Sequence, residues 1–196
     1  MAPSVPCTIS REDYQQYWKK AKESTSSSFS GLHFGHWKSA ASYNFLSEIH
    51  SLFTEITIST GYIPLRWTFG LTVMLEKSPG NILVDKLWAI LLMEADFNFA
   101  NKLIIGSRMM WNAEDSHQTV KEALGGQHNH DTREVAVNRR ITANVARQLV
   151  QPMAIASVDA TQCFDSITHT PGALACRRLG TPTTFLACTK LCSYTV

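Results

Sequence analysis

The chain lacks a strong charge of either sign. Eighteen Lys and Arg against sixteen Asp and Glu leave a net charge of only +2. That is low for a free-standing nucleic-acid binder, which usually carries a basic stripe. Paired thiols are missing too. Cys7, Cys163, Cys176, Cys188 and Cys192 make an odd number, with no C-x-x-C spacing among them. This speaks for reduced thiols inside a cell rather than for a disulfide framework. The N-terminus has no apolar secretory segment, which fits an intracellular setting and leaves cytoplasm and nucleus open. The longest apolar run, Leu87 to Met93, is far short of the ~20 residues that cross a bilayer, so no membrane association is expected. No internal repeat occurs. His33-Phe-Gly-His36 and His128-Asn-His130 have no second ligand pair at finger spacing, so they read as polar loop histidines rather than zinc ligands.

What is present describes an ordinary globular chain. In 196 residues, 44% apolar and 17% charged, there is enough for one sizeable core. Lys19-Lys20-Lys22, Arg139-Arg140 and Arg177-Arg178 read as solvated helix faces.

Ser10 followed by Asp13 is a capping-box signature. With Tyr14, Tyr17, Trp18 and Ala21 at helical spacing, it predicts a helix over 11–23. Ser24 to Ser30 reads as a flexible serine-rich linker. Trp37, Ala41, Phe45, Ile49, Phe53 and Ile56 predict one helix over 37–58 with that set as its inner face, ended by Gly61 and Pro64. Apolar runs over 70–76 and 82–92, separated by Lys77-Ser-Pro-Gly-Asn81, predict a β-hairpin with Lys77 near its tip. Phe99, Leu103, Gly106 and Met110 predict a helix over 94–112. Gly125-Gly126 predicts a break. Val137, Ile141, Val145 and Leu149 predict a further helix, stopped by Pro152. Met153 to Val158 reads as a buried strand ending at an exposed Asp159. Thr170-Pro171 and Thr181-Pro182 read as helix starts with proline at the first position, and Gly180 as the end of the first of these helices. The fold class is therefore α+β, mostly helical, with a hairpin and one further strand.

Residues 156–169 carry the most chemistry. A small apolar run leads to Asp159, an aromatic follows at Phe164, and a second acid at Asp165. An acid at the end of a buried strand can hold a divalent cation, and hard oxygen ligands suit Mg²⁺. An acid six residues on more often caps the next helix, so Asp165 reads as structural. Phe164 alone reads as a core ring at the strand-to-helix corner. Lys77 alone reads equally as an exposed turn lysine, and Trp67 as a core residue.

Taken in order, Gly61-Tyr-Ile-Pro-Leu-Arg-Trp67, Leu75-Glu-Lys-Ser-Pro-Gly80, Asp85-Lys-Leu-Trp-Ala-Ile90, Glu94-Ala-Asp-Phe-Asn98 and Asp159-Ala-Thr-Gln-Cys-Phe-Asp165 carry a resemblance. Together they resemble the reverse transcriptase domain of non-long-terminal-repeat retrotransposons, over roughly residues 31–182. The resemblance implies an RNA-directed DNA polymerase, a nucleotidyltransferase with a right-hand fold. It divides the chain into an N-terminal helix and linker (1–30), a fingers-like region (31–150) and the start of a palm (151–196). It implies that Asp159 and the Ala160 carbonyl hold Mg²⁺, with Mn²⁺ as a substitute, and that Asp159 is the catalytic acid. Lys77 would meet the nucleotide triphosphate, Phe164 would gate its sugar, and Gln127 would lie near the template. RNA template, DNA primer and deoxynucleotides are the implied partners of the complete domain. Two departures stand out. The family's aromatic-x-Asp-Asp hairpin does not occur in these residues, so the expectation is a truncated fragment, inactive alone, with an exposed sheet edge that favours self-association. Trp88 stands where the family usually has Arg. The alternative reading is a non-catalytic RNA-binding or structural remnant of a retroelement.

Overall fold

Ser10 starts the first helix for a local reason. A computed structural model describes residues 2–25, 28–119, 130–156 and 168–193. There Ser10 Oγ accepts the Asp13 N–H at 3.0 Å, and the Asp13 carboxylate accepts the Ser10 N–H at 3.0 Å. This reciprocal box satisfies two otherwise orphan donors. Helix α1, Arg11–Lys20, has Glu12 and Asp13 in its first turn and Lys19 and Lys20 in its last, which matches the helix dipole at both ends. It stops at Lys20, short of the expected residue 23, because Ala21 turns extended. Tyr14 and Trp18, one turn apart, are fully buried.

The expected helix over 37–58 is two helices. Helix α2 is Phe34–Ala41 and helix α3 is Asn44–Thr60, with an extended Tyr43 between them. The expected inner face of α3 is its outer face. Its buried residues are Ser47, Ser51, Thr54, Thr57 and Ile58, whereas Phe45, Ile49, Phe53 and Ile56 face solvent. Burying four hydroxyls is affordable because each is satisfied inside the helix. Ser47, Ser51, Thr54 and Thr57 donate to the carbonyls of Tyr43, Ser47, His50 and Phe53 at 2.6–2.9 Å, which removes the desolvation penalty of a free hydroxyl. Small side chains then let α1 and the last helix of the chain pack closely on α3. Gly61, at φ 75°, closes α3, in the left-handed conformation that suits glycine.

After Pro64, a short 3₁₀ turn, Leu65–Thr68, buries Trp67. Strands β1, Leu71–Glu76, and β2, Leu87–Leu92, pair antiparallel. The hairpin is where it was expected, but its connection is longer. Residues 82–86 do not extend the second strand; they belong to the loop and include a 3₁₀ turn at Val84–Lys86. Helix α4, Ala95–Leu103, runs through a π-helical stretch, Ile104–Met109, into helix α5, Met110–Asp115. The wider turn advances the inward face by one residue. Ile104, Met109 and Ala113 are therefore buried in place of the expected Gly106 and Met110.

The core is aromatic. Trp18 stacks on Trp37 at 5.7 Å, and Tyr14 meets Phe99 edge-on at 5.6 Å. Helix α6, Thr132–Gln148, is capped by Asp131, whose carboxylate accepts the Arg133 N–H at 2.7 Å. Its Val137, Ile141 and Val145 are all exposed, as is Leu149 just beyond it. The expected buried strand is not formed over 153–156. Those residues are irregular, and Met153 and Ile155 are exposed. A strand needs a partner for its backbone groups, and no third strand exists among the described residues. Residues 157–158 lie outside them, as do Gly125 and Gly126.

Helix α7, His169–Arg178, begins after Thr168, two residues before the expected Thr170. Helix α8, Thr183–Ser193, begins just past Pro182, and the Thr181 hydroxyl does not cap it. Phe185 and Cys188 of α8 share one core with α1 to α4. Gly180 closes α7 as expected, at φ 99°. The Val5 N–H donates to its carbonyl at 2.9 Å, and a Cβ there would sit 2.3 Å from the Pro3 oxygen and 2.5 Å from Asn112 Nδ2. Gly180→Ala should therefore lower stability by about 1–3 kcal/mol from backbone strain alone, and further by pushing off the N-terminal segment. A urea midpoint equal to that of the parent chain would refute this.

Candidate functional site

The hairpin positions Lys77. Leu75 pairs with Trp88 and Glu76 with Leu87. The Lys77 N–H then donates to the Lys86 carbonyl at 3.1 Å, which carries the same register one step past the strands. Side chains alternate along a strand, so Lys77 falls on the face of Leu75 and Trp88. The tip folds back on itself. The Gly80 N–H donates to the Glu76 carboxylate at 2.7 Å, and the Asn81 N–H to the Ser78 carbonyl at 3.1 Å. Lys77 is thus an exposed cation at the mouth of a closed turn, and the exposed Trp88 lies on the same face of the hairpin. A lysine there can meet an anion as a point charge, with Lys86 opposite it in the register and Trp88 offering a flat apolar surface.

The base of the hairpin is built from charges to which the sequence reading gave no role, although they lie within the segments Gly61–Trp67 and Glu94–Asn98. Arg66 precedes β1, and Glu94 and Asp96 follow β2. Glu94 is fully buried and Asp96 nearly so. Arg66 donates to the Asp96 carboxylate, and its Nε lies 3.9 Å from Glu94 Oε2. Glu94 also accepts the Ser28 hydroxyl at 2.6 Å and the Ser30 hydroxyl at 2.8 Å. Ser28 and Ser30 are thus anchors, not a flexible linker. Arg66 further lies 5.8 Å from the rings of both Trp37 and Phe53. Burial pushes the Asp96 carboxyl above the usual carboxylate range, and the Arg66 guanidinium offsets this only in part. The signal was present as two acids inside the apolar stretch Leu91-Leu-Met-Glu-Ala-Asp-Phe97. An acid so placed is solvated or paired, and only the fold says which. The cluster clamps both feet of the hairpin to the aromatic core.

Of the residues expected to carry chemistry, Lys77 is described. Asp159, Ala160, Phe164, Gln127 and Asp165 lie outside the described residues, so no distance relates them to Lys77. Among the described residues no group of three or more His, Cys, Asp or Glu is placed to hold a metal ion. The His33–His36 pair has a local task. His33 Nδ1 accepts the Gly35 N–H at 3.2 Å and His36 Nδ1 accepts the His33 N–H at 3.0 Å, which caps α2. His130 pairs with Glu134 at 2.7 Å. The three basic clusters are solvent-exposed on helices or just past them. No helix of the described residues is long and apolar enough to cross a membrane. No protein-family model, curated protein or solved structure matches the chain.

Proposed function

We propose that the chain is the fingers and first palm segment of an RNA-directed DNA polymerase of the non-long-terminal-repeat retrotransposon kind. The observation that carries the reading is the order of the segments Gly61–Trp67, Leu75–Gly80, Asp85–Ile90 and Glu94–Asn98 ahead of Asp159–Asp165. The hairpin supports it, since the second and third of these segments fall on its two arms and Lys77 lies where β1 ends. RNA template, DNA primer and deoxynucleotide are the partners of this reading.

In this reading Asp159 and the Ala160 carbonyl hold Mg²⁺, which supplies charge compensation for phosphoryl transfer. Lys77 draws the triphosphate toward the hairpin as a point charge. The Phe164 ring lies under the sugar and rejects a 2′-hydroxyl, and Gln127 touches the template. Asp159 is a single carboxylate, and these 196 residues contain no adjacent Asp-Asp pair. The purified chain should therefore show no template-dependent incorporation of labelled deoxynucleotide with Mg²⁺ or Mn²⁺. Supplying an aromatic-x-Asp-Asp hairpin downstream should restore it, and Asp159→Asn should abolish it again. In the restored protein Trp88→Arg should lower KM for deoxynucleotide about tenfold, the size of one charge-assisted contact to phosphate. Robust incorporation by the chain as it stands, lost in Asp159→Asn, would show that the site is complete without the added hairpin. Failure of every restored chain to extend a primer would refute the polymerase reading.

A further inference from the structure

We propose that two copies of this chain associate by seating helix α6 of each on the outward face of α3 of the other. The first observation is the α3 surface. Phe45, Ile49, Leu52, Phe53 and Ile56 recur at helical spacing and all face solvent, directly away from the hydroxyl face that packs inward. A continuous apolar stripe of this length is a surface built for contact. The second is α6. Its Val137, Ile141 and Val145 form a stripe at steps of four, all exposed. Both helices run 17 residues, about 25 Å at 1.5 Å per residue, so each can cover the other along its length.

Charge selects the pairing. The only Asp, Glu, Lys or Arg residues on α3 are Glu48 and Glu55, seven apart along one edge of its stripe. Glu55 also accepts the Ile9 N–H at 2.8 Å. Beside them α1 adds Glu12, which is paired with Arg11 at 2.9 Å. Helix α6 carries Arg133, Arg139, Arg140 and Arg147 against Glu134 alone. Arg140 and Arg147 are also seven apart along one edge, and Arg133 continues that line while held by Asp131 at 2.6 Å. Antiparallel seating brings the acidic edge of α3 and the basic edge of α6 to the same side, with the two apolar stripes between the helices. In the single chain both stripes stay exposed, which leaves the second copy to cover them. Exchange of α6 is self-complementary, so each dimer makes the contact twice and the assembly closes.

Sedimentation of the full chain tests this. The parent protein should move with increasing concentration from the 21.9 kDa chain to twice that mass. Ile49→Asp on α3 and Ile141→Asp on α6 should each leave a monomer with unchanged far-ultraviolet circular dichroism, since both sites are exposed. Mixing the two variants should recover a dimer, because one intact α3 face then meets one intact α6. A parent chain monomeric at all concentrations would overturn the proposal, whether α6 folds back on its own α3 or stays apart. A dimer insensitive to both substitutions, held by the hairpin edge instead, would overturn it equally.

Discussion

Arg66→Ala is expected to destabilise the chain by about 3–5 kcal/mol, the cost of leaving buried carboxylates without their cation. Glu94 has no solvent exposure and Asp96 almost none, so neither can turn to water when the guanidinium goes. The contacts of Arg66 with Trp37 and Phe53 are lost with it. A typical domain has about 5–15 kcal/mol in hand, so the urea midpoint should fall by a large share of its value. The pH dependence gives a second readout. The folded Asp96 carboxyl titrates above its unfolded value because of burial. Between those two values the folded state binds more protons, so stability falls as pH rises through that window and is regained on acidification. Removing Arg66 takes away the opposing influence and should extend that fall to higher pH. Combining Arg66→Met with Glu94→Gln and Asp96→Asn should cost much less than Arg66→Ala, because no charge is left buried. A triple variant as unstable as Arg66→Ala would show that shape rather than charge balance governs the cluster.

Trp18→Ala should cost about 3–5 kcal/mol, the range for deleting a large buried ring. Trp18 is fully buried and meets Tyr14, Tyr17, Phe34, Trp37 and Phe99 at ring separations of 4.9–6.0 Å. Its loss opens a cavity where α1, α2 and α4 converge, and helices under three turns hold together by that packing. Trp18→Phe should cost far less. The indole Nε1 has no hydrogen-bond partner, so the exchange forfeits volume but no bond. Equal losses in the two variants, read from urea midpoints at constant slope, would place the effect outside the cavity argument.

Elements were legible in the sequence wherever a local signal determines them. The Ser10–Asp13 box closes within four residues, Gly61 and Gly180 end helices through their own backbone freedom, and Pro79-Gly80 between apolar runs makes a turn in any context. Trp67 read correctly as core. Register was less legible. Five-residue steps through the π stretch at Ile104–Met109 cannot be told from four-residue steps by spacing alone, since Met109 and Met110 are both apolar.

Of the candidate site, Lys77 next to the hairpin connection came from local turn chemistry, and the placing of Trp88 on its face followed once the strand register was known. The clamp beneath them did not. Ser28, Glu94 and Asp96 are polar residues whose burial depends on partners far along the chain, Glu94 for Ser28 at a separation of 66 and Arg66 for Asp96 at a separation of 30. No window of sequence holds those meetings.

Residue types alone determined the start of α1, the hairpin and the charge balance, because caps, turns and propensity act over a few residues, whereas the break at Tyr43 that divides the expected second helix into α2 and α3 was not legible. Tertiary structure decided which face of α3 turns inward. By hydrophobicity the stripe of Phe45, Ile49, Phe53 and Ile56 should be buried. The serine and threonine face is buried instead, because its hydroxyls bond to their own helix and its small side chains allow close approach of α1 and α8. Burial is a property of what arrives from elsewhere in the chain, and a helix does not carry that information in its own period.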